Sequence, residues 1–343
     1  MSSEPSRYST VQMELSRPDA LSQVAEDSIS RLENGGIPVI AEQRLEALRR
    51  SASALFTTGL SVNEFALTQA VGLRPVSQVM GSCVFQQGVA AERATWQLAP
   101  GETHRLAMED EWNAARETAL HRLWLEAEAC GAHVVTGMRI RQSGQDSADS
   151  GSALIEIVAI GTAVLHEAAV PARQDPVLTN LSMQDYWKLI QHGFDALGVV
   201  ACTNMVGRHP GSGGLRGRAL GMLAGVGRDM LGDSGMGILE GAAGRKSRER
   251  PEFSAAVTDV YSYASADLHA QAERLAAEGI VGVRIDHSQF TDGNENRILT
   301  VHTIGTAIAS SPSRGFGAGP AGLSVMPVRR LDQEGGNHSE PGS

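Results

Sequence analysis

The feature that most constrains this 343-residue chain is an internal duplication. Residues 60–65, LSVNEF, align with residues 181–186, LSMQDY, at a shift of 121 positions. Further along, GTAV at residues 161–164 aligns with GTAI at residues 305–308, so the shift has grown to 144 positions. The second copy therefore carries about two dozen extra residues, which lie between residues 205 and 282. A repeated sequence predicts a repeated fold, here two copies of one structural unit.

Both copies show the same succession of local signals. Ser61 with Glu64, and Ser182 with Asp185, have the spacing of a helix-capping box, and the helices that they begin are predicted to end near residues 71 and 195. After each helix the hydrophobic pattern predicts a strand, a long helix and two strands joined by a polar turn. In the first copy these cover residues 76–85, 103–129, 134–142 and 153–164, and in the second residues 197–206, 254–278, 281–287 and 297–308.

This order predicts an α+β fold of two tandem β-α-β-β repeats, each preceded by a short capped helix. In each repeat, a long helix covers a three-stranded antiparallel sheet. Such a layer is about the minimum for independent stability, and its open edges favour pairing with another repeat or chain. The boundaries place an N-terminal tail and helices in residues 1–54, the first repeat in 55–165, a linker in 166–179, the second repeat with a Gly-rich insertion in 180–309, and a disordered tail in 310–343.

Composition excludes several classes of protein. The net charge of -10 argues against general binding to nucleic acids or anionic membranes. Three cysteines exclude a disulfide scaffold and fit a reducing compartment. The N-terminus lacks the pattern of a secretory signal, and no run reaches the ~18 apolar residues of a membrane helix. We therefore expect a cytoplasmic protein without nucleic-acid or membrane partners.

A family resemblance emerges at the junction of the first long helix and the strand after it. Residues 129–140, ACGAHVVTGMRI, followed by a hairpin and the strand ending in GTAV, resemble the YbjQ-like family, often labelled a heavy-metal-binding domain. The second copy keeps VGV at residues 281–283, and its AGVGRD at residues 224–229 resembles the Gly-rich loop of that family. The resemblance implies a dodecin-like subunit and a ring-shaped, often pentameric assembly. The chain departs from the family pattern at His133, where the family has an acid.

The residues that could bind metal are sparse. Soft-metal sites usually present Cys or His pairs two to four positions apart, and this chain has no C-x-x-C or H-x-x-x-H motif. The candidate ligands are Cys83, Cys130, His133 and Cys202. The alternative is that the cysteines are small buried residues, so the expectation is no cofactor, with a soft divalent metal as the exception. The acidic residues at positions 109–111 and 117 are predicted to form the solvated face of the first long helix.

Three functional hypotheses follow from these patterns. The leading one is a non-enzymatic, oligomeric binding or scaffold protein that self-associates into a ring-like homo-oligomer. The second is a protein that sequesters metal or a small ligand at sites between subunits. The third is an enzyme, although the sequence has no supported Ser/His/Asp arrangement and no complete phosphate-binding loop. An apolar island at residues 323–328 of the tail is a candidate docking strand for a protein partner.

Overall fold

The computed structural model describes residues 18–50, 56–86, 103–106, 108–146, 153–166, 175–208, 251–291 and 297–311. These ranges contain six helices and eight strands, and the strands form two four-stranded sheets. The α+β class predicted from the sequence is therefore confirmed. The predictions for the N-terminal tail, the Gly-rich insertion and the C-terminal tail beyond residue 311 lie outside the described residues.

The first unit of the fold follows two N-terminal helices, α1 (Pro18–Glu33) and α2 (Val39–Arg50). Its elements are α3 (Val62–Val71), β1 (Leu73–Gln86), β2 (Thr103–Arg105), α4 (Met108–Ala129), β3 (Val134–Asp146) and β4 (Ala153–His166). The predicted capping box is present, because the Ser61 hydroxyl accepts the Glu64 amide while the Glu64 carboxylate accepts the Ser61 amide.

The second unit repeats this order after a short strand, β5 (Val177–Leu178). Its elements are α5 (Met183–Gln191), β6 (Phe194–Arg208), α6 (Pro251–Arg274), β7 (Gly279–Thr291) and β8 (Arg297–Ser310). Helix α5 ends four residues before the predicted end near residue 195. Gly193, with φ of 78°, turns the chain directly into β6.

Each sheet has four strands rather than the predicted three, because the two units exchange short edge strands. Sheet 1 has the order β1-β4-β3-β5, and sheet 2 has the order β2-β6-β8-β7. Strand β5 leads into the second unit but pairs in parallel with β3 of the first, and β2 precedes α4 but pairs with β6 of the second. Residues 103–105 were predicted to begin a helix; pairing with the edge of β6 makes them a strand instead.

The long helices pack directly on the inner faces of their sheets. Gly81 permits this close approach on sheet 1, since a Cβ atom there would lie 2.0 Å from the Ala119 carbonyl oxygen and 2.4 Å from the Leu123 nitrogen. The cores beneath the two helices are aliphatic, as the low aromatic content predicts. They include Val79, Leu123, Ala127 and Ala159 under α4, and Val200, Val260, Leu268 and Val301 under α6.

The N-terminal helices lie beside the first unit. Leu45 of α2 is fully buried in the core under α4, and Arg44 forms an ion pair with Glu126 at 2.6 Å. Arg122 donates hydrogen bonds to the carbonyls of Leu32 and Ser82, linking the end of α1 to the edge of β1. Among the helices that the structure describes, none is long and apolar enough to cross a membrane.

Candidate assembly surface between the two units

Helix α4 lies between the two sheets and uses a different face against each. Glu109, Asn113 and Arg116 are spaced four and three residues apart, which places them on one face of the helix. All three reach the backbone of β6, in the second unit. The helix therefore covers its own sheet with an apolar face and binds the neighbouring sheet through a polar one.

These side chains satisfy the hydrogen-bonding groups of an edge strand. The Thr203 amide donates to Asn113 Oδ1 at 2.9 Å, and Asn113 Nδ2 donates to the Thr203 carbonyl at 3.2 Å. The Met205 amide donates to Glu109 Oε2 at 3.1 Å, while Arg116 donates to the Ala201 carbonyl at 3.0 Å. A sheet edge that would otherwise carry exposed backbone groups is thus closed by the side chains of a helix.

Arg116 is the centre of a buried polar network. Its Nη1 donates to the Thr203 hydroxyl at 2.7 Å, and it also bonds Asn113. The same hydroxyl lies 3.0 Å from Nδ1 of His302. The centroid of the His302 ring lies 5.3 Å from that of Trp112. Removing one partner from such a network leaves buried groups unpaired, which typically costs 1–3 kcal/mol for each neutral group and more for a charge.

Burial changes the ionisation of two members of this network. It lowers the pKa of Arg116 to about 10, so the guanidinium still carries its charge at neutral pH. Burial, followed by the nearby Arg116 charge, lowers the pKa of His302 to about 4, and Asp286 only partly offsets this. His302 is therefore neutral at physiological pH, which lets a polar imidazole sit beside a buried cation.

Apolar side chains surround the polar network. Val199 and Ile304, on the outer face of sheet 2, pack against the core of the first unit, where Met138 of β3 is fully buried. At the other end of α4, Leu106 and Met108 form a cluster with residues of sheet 2, namely Met205 and Ile298. The interface thus combines an apolar surround with a hydrogen-bonded centre.

Residues 177–181, which lead into the second unit, also pair with β3 of the first unit. The Thr179 amide donates to the Val135 carbonyl at 2.9 Å, and the Gly137 amide donates to the Leu181 carbonyl at 2.6 Å. Asn180 then returns to its own unit, where its amide donates to the Thr306 hydroxyl at 3.2 Å. These hydrogen bonds hold the edge of β3 against the second unit.

A cleft of about 650 Å³ opens beside the interface. Its walls come from both units: Arg141, Ser143 and Glu156 from the first, and Asp286 and His302 from the second. Both charge signs line the cleft, so a small polar molecule would find both donors and acceptors there.

The four predicted metal-ligand candidates lie in separate surroundings. Cys83, Cys130 and Cys202 are all buried, each in a different core cluster. Burial raises the pKa of Cys83, and it raises that of Cys130 to about 11 with a further contribution from Glu126, so both stay protonated at neutral pH. In the part of the chain that the structure describes, no three His, Cys, Asp or Glu side chains are grouped so that they could hold a metal ion.

His133 instead joins a small polar cluster. Its Nδ1 accepts the His166 amide at 3.1 Å, and the rings of the two histidines lie 6.0 Å apart. His166 in turn lies 3.0 Å from the Tyr186 hydroxyl. Burial lowers the pKa of His133, so its ring is neutral at physiological pH. The cluster connects the end of sheet 1 to helix α5 of the second unit.

Comparison with known protein families identifies the family to which this duplicated chain belongs. The profile of the YbjQ family, described as "Putative heavy-metal-binding", matches residues 54–167 and again residues 221–311, about three fifths of the chain. The chain belongs to the YbjQ-like family. The first match covers the first unit and the second covers α6, β7 and β8 of the second unit, so the YbjQ-like domain occurs here in tandem.

Two other proteins are similar in sequence to this YbjQ-like chain. The encapsulin nanocompartment protein Rv1762c of Mycobacterium tuberculosis is 27% identical over 288 residues, which cover 82% of this chain and 95% of the relative. The UPF0145 protein PTO0347 of Picrophilus torridus is 51% identical over 55 residues, which cover 16% of this chain and 42% of the relative. Neither the family description nor either name denotes an enzyme.

Sequence reasoning missed the interface residues on α4. The prediction that Glu109 belongs to a solvated face is wrong, because its carboxylate is buried and accepts the Met205 amide. Asp110 and Glu117 are exposed as expected. One signal was available: the positions of Glu109, Asn113 and Arg116 carry Ser254, Thr258 and Tyr261 in the second copy, so the two helices differ in chemistry on this face.

Proposed function

We propose that this YbjQ-like chain is a non-enzymatic scaffold that works as a homo-oligomer. The observation that carries the proposal is the set of large apolar side chains left exposed on the strands of both sheets. On sheet 1 these are Met80, Val84, Phe85 and Leu154, and on sheet 2 they are Val283 and Ile285. Several large apolar side chains left exposed on the strands of a folded domain favour an interaction with another protein surface.

The relative from Mycobacterium tuberculosis supports the same proposal. Its name describes it as an encapsulin nanocompartment protein, which we take to indicate self-assembly. The likeness covers nearly the whole of that relative, so we extend self-assembly, although not a particular particle, to this chain.

Mass photometry of the purified full-length chain tests the proposal. We expect particles whose mass is a multiple of 36.3 kDa and greater than one chain. A single species with the mass of one chain, at every concentration from nanomolar to micromolar, would refute it. A static light-scattering measurement at higher concentration provides the control against dilution of a weak oligomer.

A second candidate function is the sequestering of a small ligand or a soft divalent metal between units or subunits. The observation that favours its small-ligand form is the cleft between the two units, with Asp286 and His302 on one wall and Glu156 on the other. The described residues of one chain group no three metal ligands, so the metal form needs a site between subunits. Elemental analysis after incubation with zinc and dialysis tests the metal form of this proposal. A ratio near one metal per chain supports it, and a ratio near zero excludes zinc binding.

A further inference from the structure

The interface between the two units buries surfaces whose counterparts elsewhere in the same chain are exposed. The two units correspond position by position. Val79 pairs with Gly161 in sheet 1, as Val200 pairs with Gly305 in sheet 2. The two β-bulges likewise coincide at Gly137 and Gly282, with φ of 62° and 63°. The strand residues at the internal interface therefore have counterparts in the other unit.

The outer face of sheet 1 is the counterpart of a buried surface. On sheet 2 this face, at Ala201, Thr203 and Met205, is covered by α4. The equivalent positions on sheet 1 are Met80, Ser82 and Val84. The first unit's own α4 reaches two of them, through Glu126 at the Met80 amide and Arg122 at the Ser82 carbonyl, but no described helix of the second unit covers them. Met205 is 1% exposed, whereas Val84 is 64% exposed. The amides of Ser82 and Val84 also lack the partners that α4 supplies to Thr203 and Met205, as far as the described residues extend.

The other end of the chain presents the complementary surface. In the first unit, α4 and β3 form a groove that Val199 and Ile304 of sheet 2 fill, and Met138 at its base is 1% exposed. The equivalent groove in the second unit lies between α6 and β7, has a volume of about 390 Å³, and is not filled by any residue that the structure describes. We call it the α6–β7 groove; its base includes Val283, the counterpart of Met138, which is 45% exposed.

The segments that enter the two units repeat this pattern. Asn180 bonds Thr306 in the second unit, and Gly59 bonds the equivalent Thr162 in the first, through an amide-to-hydroxyl bond of 3.1 Å. Residues 177–178, just before Asn180, form β5 on the edge of β3. Their counterparts, residues 56–57, have no strand partner among the described residues, and no described strand pairs with the outer edge of β7.

We propose that a second copy of this chain docks head to tail, placing the outer face of its sheet 1 in the α6–β7 groove. The contact reproduces between chains the contact that the two units make within one chain. Ile160, the counterpart of Ile304, enters the groove, and residues 56–57 of the incoming chain extend sheet 2 beside β7. This inference deepens the proposed scaffold function and depends on it, since it names the surfaces through which the scaffold assembles.

The same correspondence buries a further exposed residue. Val62, at the start of α3, is 84% exposed, whereas its counterpart Met183, at the start of α5, is fully buried against the first unit. Docking of a second copy would place Val62 in the equivalent position. Three separate surfaces of the chain are therefore exposed where their counterparts at the internal interface are buried, and one contact covers all three.

Two lysine substitutions test this contact from its opposite sides. Val84→Lys places a charge on the outer face of sheet 1, opposite Glu156 in the register of β1 and β4, so the fold itself should tolerate it. Val283→Lys places the same charge in the α6–β7 groove. Ile29→Lys, on the exposed side of α1, is the matched control. Circular dichroism and thermal denaturation check that each variant folds, and Ile285→Lys, in the same groove, replaces Val283→Lys if that variant does not.

We expect each interface variant alone to have the mass of one chain, by size-exclusion chromatography with light scattering, while the control keeps the wild-type mass. Each variant retains one intact surface, so an equimolar mixture of the two should form a dimer of about 73 kDa, twice the mass of one chain, and nothing larger.

Two results would overturn the inference and leave the scaffold proposal standing: a wild-type mass for both variants, or a mixture that stays monomeric although the wild type is oligomeric. A monomeric wild-type chain would refute the scaffold proposal itself.

Discussion

At the scale of single residues, the interface between the units depends on buried polar groups that satisfy one another. Arg116 binds the Thr203 hydroxyl and the Ala201 carbonyl, and His302 completes the network as a neutral ring. A buried ion pair or polar network adds little stability compared with a well-packed apolar core, but breaking it is costly. We interpret this network as a device that selects one arrangement of the two units.

The ionisation of His302 predicts a loss of stability in acid. The unfolded chain takes up a proton near pH 6.5, whereas the folded chain holds His302 neutral down to about pH 4. Between these values the unfolded state binds more protons, so the free energy of unfolding falls as pH is lowered, by up to about 3 kcal/mol for this group. Urea denaturation at pH 7, 6, 5 and 4 measures it.

The variant His302→Asn provides the control, because asparagine does not titrate and can still bond the Thr203 hydroxyl. The acid titration of carboxylates affects both proteins alike, so the difference between them isolates His302. If wild type and variant lose equal stability between pH 6.5 and pH 4, the assignment of a depressed pKa to His302 is incorrect.

At the scale of elements, helix α4 serves two sheets at once. Its inner face packs closely on β1 at Gly81, while its polar face closes the edge of β6. Helix α6 makes the equivalent contact with its own sheet, where Gln271 bonds both the amide and the carbonyl of Ala201. Its other face has no second sheet to cover within the described chain, and this difference separates two helices of otherwise similar design.

The close contact at Gly81 predicts a large effect from a single methyl group. Gly81→Ala would force α4 away from β1, because both nearby atoms belong to the backbone and cannot rotate aside. We expect destabilisation by about 3 kcal/mol or more, measured by chemical denaturation. Gly59→Ala is the matched control, since a Cβ there would lie 3.7 Å from Thr162 Oγ1, an ordinary contact. Equal midpoints for the two variants would contradict this account of helix packing.

At the scale of the whole molecule, the proposed contact between chains differs in chemistry from the contact between the two units of one chain. Within the chain, Glu109, Asn113 and Arg116 of α4 bind β6. In the proposed contact between chains, their counterparts on α6 are Ser254, Thr258 and Tyr261, which carry no charge and suit a more apolar surface. A head-to-tail contact of this kind closes into a ring or continues as a filament, depending on the rotation between successive units.

This asymmetry predicts strict alternation of first and second units around the assembly. A reconstruction of the particle by electron microscopy should show an even number of YbjQ-like units in each ring, with true symmetry relating chains and approximate symmetry relating units. A ring with an odd number of units, such as the five of a pentameric family member, would contradict the prediction, because half a chain would then be left outside it.

Much of the local structure could be predicted from the sequence because its causes are local. The Ser61–Glu64 capping box, the strand that follows it and the hairpin of β3 and β4 each depend on neighbouring residues, and all are present. The duplication itself is visible in the alignment of the two copies. Residues 103–105 show the limit of this reasoning, since nothing local distinguishes the strand that they form from the first turn of α4.

The sequence alone determined the α+β class, the tandem organisation and the candidate residues, because repetition, capping and hydrophobic period are carried by nearby positions. Only the tertiary structure decided which strands the units exchange, that Glu109 and Arg116 are buried, and that the three cysteines lie in separate cores. Hydrophobic periodicity identifies one buried face of a helix. It cannot show that the polar face is buried as well, because this depends on a sheet edge about 90 residues further along the chain.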